Sequence, residues 1–190
     1  MAGRVFSFEK PDRFVAGAIG QPGSRTFYLQ AREGGRVTSV VLEKVQVALL
    51  AERLTELLNE VRSRGANVPD EAPAEDRDQK PLDEPVVETF RVGTMAIIWD
   101  GDQETIVVEA REIGEEAEEP AEEVEAESED EGDDDDASAL VRVRLRPQQA
   151  LAFAQRALEV VAAGRPPCPF CGQPLNPEGH ICLRRNGYMH

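Results

Sequence analysis

Arg25-Thr-Phe-Tyr-Leu-Gln-Ala-Arg-Glu33 and, 79 positions later, Glu104-Thr-Ile-Val-Val-Glu-Ala-Arg-Glu112 read as two versions of one strand. Thr26, Ala31, Arg32 and Glu33 recur as Thr105, Ala110, Arg111 and Glu112, and Gln30 lies over the near match Glu109. A second correspondence runs at an offset of 103: Gln46, Ala51 and Arg53 lie over Gln149, Ala154 and Arg156. It carries an apolar stripe with it, Leu50, Leu54, Leu57 and Leu58 over Phe153, Ala157, Val160 and Val161. Self-similarity at this scale predicts an architecture built from one unit used twice.

Working outward, period-2 alternation and turn residues predict strands at Arg4–Glu9, Arg13–Ile19, Arg25–Glu33 and Arg36–Leu42, with hairpin turns at Gln21-Pro22-Gly23-Ser24 and Gly34-Gly35. The period changes to that of a helix from Lys44 to about Arg64, closed by Gly65. Residues 66–85, with Pro69, Pro73, Pro81 and many charges, have no period and predict a mobile linker. Strands follow at Val86–Val92, Thr94–Trp99, Glu104–Glu112 and Leu140–Leu145, with a turn at Asp100-Gly101-Asp102, and then a helix from Pro147 to about Ala163. The expected fold class is α+β: two β-β-β-α repeats in one mainly antiparallel sheet, both helices on one face, related by a pseudo-twofold. The chain then divides into a first repeat (1–65), a linker (66–85), a second repeat (86–164) and a tail (165–190).

The formal charge of −16 is confined to one segment. From Glu112 to Asp136 there are 16 acidic residues and no basic one, which leaves 21 of each sign elsewhere. Such a run repels itself and has little to bury, so disorder is its expected state. The two repeat offsets differ by 24, close to the length of this run. Residues 113–137 are therefore expected as an insertion at the tip of a hairpin, where long loops cost little. A solubilising loop and a docking arm for a basic partner are both open readings.

Every Cys and both His residues lie in the last 23 positions. Cys168-Pro-Phe-Cys171 followed by Gly172 is half of a tetrahedral zinc site, and His180 and Cys182, one residue apart, complete a Cys3His set. Pro174, Asn176, Pro177 and Gly179 suit the short loop between them. A disulfide would leave an odd thiol, and a redox Cys-x-x-Cys would need to open a helix where Pro166-Pro167 predict a loop. Four protein ligands close the coordination sphere, so the expected zinc is structural and not hydrolytic.

With no His before position 180, a Ser-His-Asp arrangement has no free base, and Gly17-Ala-Ile-Gly20-Gln-Pro-Gly23 lacks the Lys-Ser/Thr of a phosphate loop. No apolar run approaches the roughly 18 to 20 residues of a membrane span, and a cytoplasmic protein is expected. Arg184, Arg185 and Tyr188 beside the zinc site, with Arg142, Arg144 and Arg146 as a row, form a weak nucleic-acid signal.

The opening Arg4-Val-Phe-Ser-Phe-Glu-Lys-Pro-Asp-Arg-Phe-Val-Ala-Gly-Ala-Ile-Gly-Gln-Pro-Gly-Ser-Arg-Thr-Phe-Tyr-Leu-Gln-Ala31 and the closing Cys168-Pro-Phe-Cys-Gly-x-Pro-Leu-x-Pro-x-Gly-His-x-Cys-x-Arg-x-Asn-Gly-Tyr188 resemble an actinobacterial family of unknown function. It is the family that includes the ParA-interacting protein ParJ. The resemblance spans nearly the whole chain and implies a chromosome-partitioning ATPase of the ParA type as a partner; it implies no catalytic residues. The expected function is a non-enzymatic interaction or adaptor protein with structural zinc. The rivals are a nucleic-acid-associated zinc protein and an enzyme with a carboxylate site between the repeats.

Overall fold

The computed structural model describes residues 3–114, 138–164 and Phe170. In chain order the elements are β1 Val5–Phe8, β2 Arg13–Gln21, β3 Ser24–Glu33, β4 Arg36–Leu42, α1 Lys44–Ser63, β5 Glu88–Asp100, β6 Thr105–Glu112, β7 Leu140–Leu145 and α2 Pro147–Ala162. The fold is α+β: a mixed seven-stranded sheet in the order β1-β7-β6-β5-β4-β3-β2, with two helices. β1–β7 and β4–β5 are parallel, and the other neighbours are antiparallel.

The two hairpins carrying the similar strands share one register. Gln30 faces Ser39 and Leu29 faces Val40; 79 and 103 positions on, Glu109 faces Arg142 and Val108 faces Val143. The helices begin alike. Gln46 Oε1 accepts from Glu43 N at 2.8 Å, and Gln149 Oε1 accepts from Arg146 N at 3.1 Å.

A pseudo-twofold is not what relates them. A twofold would make the central strands antiparallel, whereas β4 and β5 run parallel. Parallel neighbours need a long crossover, which α1 and the stretch after it provide. The second β-β-β-α run therefore succeeds the first by a step along the sheet. β1 stands outside both and pairs with β7 at the far edge.

The sheet is strongly coiled. Phe8 ends one edge strand and Arg13 begins the other, yet five residues span at most about 18 Å. Seven flat strands would hold their edges about 29 Å apart. Across the curl, the Arg36 guanidinium sits 4.5 Å over the Phe8 ring and donates to the Ser7 carbonyl. The concave side holds the core, where Leu50, Leu54 and Leu58 of α1 and Phe153, Ala154 and Ala157 of α2 are all buried. Phe14 of β2 stacks on Phe153 at 4.6 Å between ring centres. Burying Leu54 and Phe153 contributes about 2–3 kcal/mol each.

Residues 66–87 are not a mobile linker. Val68 and Ala72 join the main core with the helices, and Leu82 is buried on the opposite, convex face of β2. Leu82 seats on Gly17, where even a Cβ would come within 2.7 Å. Asp83 N donates to Gln30 Oε1 at 2.7 Å, and Gln30 Nε2 donates to the Asp83 carbonyl at 3.1 Å and to Ser39 Oγ at 3.0 Å. Composition misled here, because the contacts that hold the stretch lie on strands more than 40 residues away.

Candidate functional site

Where the sheet's edges approach each other, the turn Glu9-Lys10-Pro11-Asp12 meets the first turn of α2 and the segment around Asp76. A cleft of about 660 Å³ opens there, lined by Glu9, Asp12, Asp76, Thr105, Arg144 and Arg146 among others. It continues past Gln149 into a smaller cavity of about 90 Å³ beside Arg13, Asp78 and Arg156. The mouth of a coiled sheet is a place where ligand sites form, so its charges decide what it can do.

Arg13 is the deepest of them, its side chain 5% exposed. It donates from Nε to Asp78 Oδ2 at 2.5 Å and from Nη2 to the carbonyls of Lys80 and Pro81 at 2.9 and 2.8 Å; Asp83 lies 3.3 Å from Nη1. The hydrogen bond from Arg13 holds the Asp78 carboxyl below its ordinary value, against burial that pushes it up. On the same carboxylate, Asp78 Oδ1 also accepts from Arg156 Nη1 at 3.3 Å. Burial depresses the Arg156 pKa, and the charge of Arg13 adds to it.

The arginine row meets carboxylates. Arg142 Nε donates to Glu109 at 2.7 Å, Arg144 to Glu9 at 3.0 Å and Asp100 at 2.7 Å, and Arg146 to Asp76 at 2.9 Å. The bond from Arg144 keeps the Asp100 carboxyl below its usual range. Paired in this way, Arg142 and Arg144 tie β7 to β6 and β5, and Arg146 ties the start of α2 to the segment around Asp76.

Arg13, Asp78 and Arg156 form a hub that sequence reasoning missed. The available signal was an apolar residue, Leu82, between the acids Asp78 and Asp83 inside an otherwise featureless stretch. Trp99 is half-buried against the core, as expected for a strand end. Cys168, Cys171, His180 and Cys182 lie outside the described residues, as do Arg184, Arg185, Tyr188 and the acidic positions 115–136. No group of His, Cys, Asp and Glu among the described residues could hold a metal ion.

The model of a family described as protein of unknown function, DUF3090, matches residues 6–182. The chain belongs to this family. The DUF3090 match reaches from β1 to Cys182 and so includes the whole described sheet, both helices and all four candidate zinc ligands. No curated protein and no solved structure matches the chain. No helix among the described residues is long and apolar enough to cross a membrane.

Proposed function

We propose that the protein is a cytosolic, non-enzymatic interaction protein, and that its tail binds one structural zinc through Cys168, Cys171, His180 and Cys182. The observation that carries the first part is the saturation of the hub. Arg13, one of the most deeply placed charges, has a carboxylate and two carbonyls within 3 Å and serves to strap residues 66–87 onto the sheet. A site built for turnover leaves a donor or acceptor for its substrate.

The zinc assignment is supported by ligand chemistry: two thiols at Cys-x-x-Cys spacing, then an imidazole and a thiol one residue apart. The resemblance of the end motifs to the family that includes ParJ makes a ParA-type partitioning ATPase the first partner to try. The family match itself names no partner.

The test has two arms. Purified protein should contain one zinc per chain by mass spectrometry, and replacing Cys168 and Cys171 by Ser should abolish it. Affinity capture from the native cytoplasm, with and without residues 113–136, should recover a protein partner, and a ParA-type ATPase added directly should change its ATP hydrolysis rate. Recovery of nucleic acid, with binding that falls steeply with salt and with loss of Arg184 and Arg185, would turn the conclusion to the nucleic-acid reading.

A further inference from the structure

The two halves of the sheet present the same face differently. On the convex side of the first half, the cross-strand pair Gln30–Ser39 is covered by the stretch around Leu82 and Asp83, and Gln30 is 1% exposed. The same register position in the second half is the pair Glu109–Arg142; Glu109 is buried like Gln30, but Arg142 is 44% exposed where Ser39 is buried. Gly17, opposite Tyr28, is covered by Leu82; Ile98, opposite the matching Val107, is 49% exposed. Arg32 pairs with Asp83 at 3.3 Å, whereas Arg111, its counterpart, reaches a carboxylate only at 3.9 Å and is 46% exposed. That distance is too long for a hydrogen bond.

The molecule therefore contains its own precedent for how this face is covered. In the first half the occupant is an extended segment with two acids flanking an apolar residue: Asp78 and Asp83 meet Arg13 and Arg32, and Leu82 fills the surface above Gly17. The second half offers Arg111, held only loosely by Glu109, where Arg32 stands, and the exposed Ile98 where Leu82 sits.

We propose that the convex face of β5, β6 and β7, around Ile98, Arg111 and Arg142, docks an extended acidic segment of a partner protein, placing a carboxylate on Arg111 and an aliphatic side chain on Ile98. The inference rests on the interaction-protein reading and names its surface; it is independent of zinc. Main-chain and apolar contacts would hold such a segment, and the arginines would select for its charge.

The experiment titrates the full-length, isotope-labelled protein with a synthetic peptide copying Asp78–Val87, whose acid and leucine spacing already fits the equivalent face. The amides of Ile98, Arg111 and Arg142 should shift saturably, and Ile98→Lys or Arg111→Glu should weaken binding at least tenfold. Both positions are half-exposed, so unchanged signals from Leu82 and Gly17 will show that the fold is intact. Three outcomes overturn the proposal: no shift on this face, a shift indifferent to both substitutions, or peptide binding that appears only once residues 115–137 are deleted, which would make the chain's own segment the occupant. Concentration-dependent shifts without peptide would instead assign the face to a second copy. A partner recovered by affinity capture whose binding survives Arg111→Glu would leave the interaction reading standing and this face refuted.

Discussion

Arg156 Nε donates to the carbonyl of Ala16 at 2.9 Å. Ala16 lies on β2, the edge strand at one end of the sheet, so this bond makes α2 a stopper on a free edge. Gln149, two turns earlier on the same helix, donates to the Pro11 carbonyl at 3.1 Å, and Arg25 donates back to the helix's last carbonyls. The other edge is closed in kind, by Arg36 on Ser7 of β1. Exposed strand edges template association, and covering them is how folds avoid it.

Replacing Arg156 by Met removes a charged donor from the carbonyls of Ala16, Asp78 and Lys80. A loss of about 2–3 kcal/mol is expected by urea denaturation, with faster amide exchange along β2. Arg53, the equivalent residue of α1, is 69% exposed and pairs with Glu56 one turn on. Arg53→Met should stay within about 0.5 kcal/mol of the parent. Equal effects from the two substitutions would show that the edge contact carries no weight.

Leu82 and Gly17 should be energetically coupled. Leu82→Ala opens a void above the sheet at a cost of about 2–3 kcal/mol. Gly17→Ala brings a methyl group to 2.7 Å from the Leu82 side chain and forces the strap outward. The double substitution should cost less than the sum, with a coupling of about 1 kcal/mol or more. Additive losses would mean the strap does not rest on Gly17.

Acid stability should depend on Asp78. Its folded pKa lies below its ordinary value, so its contribution is fully present above the unfolded value of about 3.9 and disappears as pH falls through the lower folded value. Asp78→Asn should therefore destabilise the protein at pH 7, by about 3 kcal/mol because the buried Arg13 loses the closer of its two carboxylates. The gap from the parent should begin to narrow below about pH 4 and close as pH falls through the lower folded value. A gap that persists unchanged at pH 3 would assign the effect to shape and not to charge.

Metal removal should leave the body standing. Among the described residues, the buried core runs from Phe8 to Ala157. Chelation is expected to expose three reactive thiols to a thiol reagent while the urea midpoint of the body moves by less than about 0.3 M. A collapse of the whole transition on chelation would show that the tail is part of the core.

Much of the fold was legible because its signals are local. Alternation marked the strands, and the i, i+4, i+7 recurrence of Leu50, Leu54 and Leu57 marked α1. The offsets of 79 and 103 even anticipated the shared register of the hairpins. The strap was not legible, since Asp78 and Leu82 carry no period, and only their partners Arg13 and Gly17, 65 residues earlier, give them a place. Of the candidate site, the cysteine and histidine pattern was readable at once, while the Arg13–Asp78–Arg156 hub was not.

The sequence by itself determined which residues alternate, where the helices start and stop, that the net charge sits on one segment, and that the thiols gather at one end. Those properties depend on neighbours within a few positions and survive without a fold. Only the tertiary structure decided that the sheet coils until its edges nearly meet, that β1 joins the far half, and that Leu82 and Asp83 strap the convex face of the first half while Ile98 and Arg142 stay exposed on that of the second. These follow from which distant surfaces can be buried together, a choice that backbone periodicity does not encode.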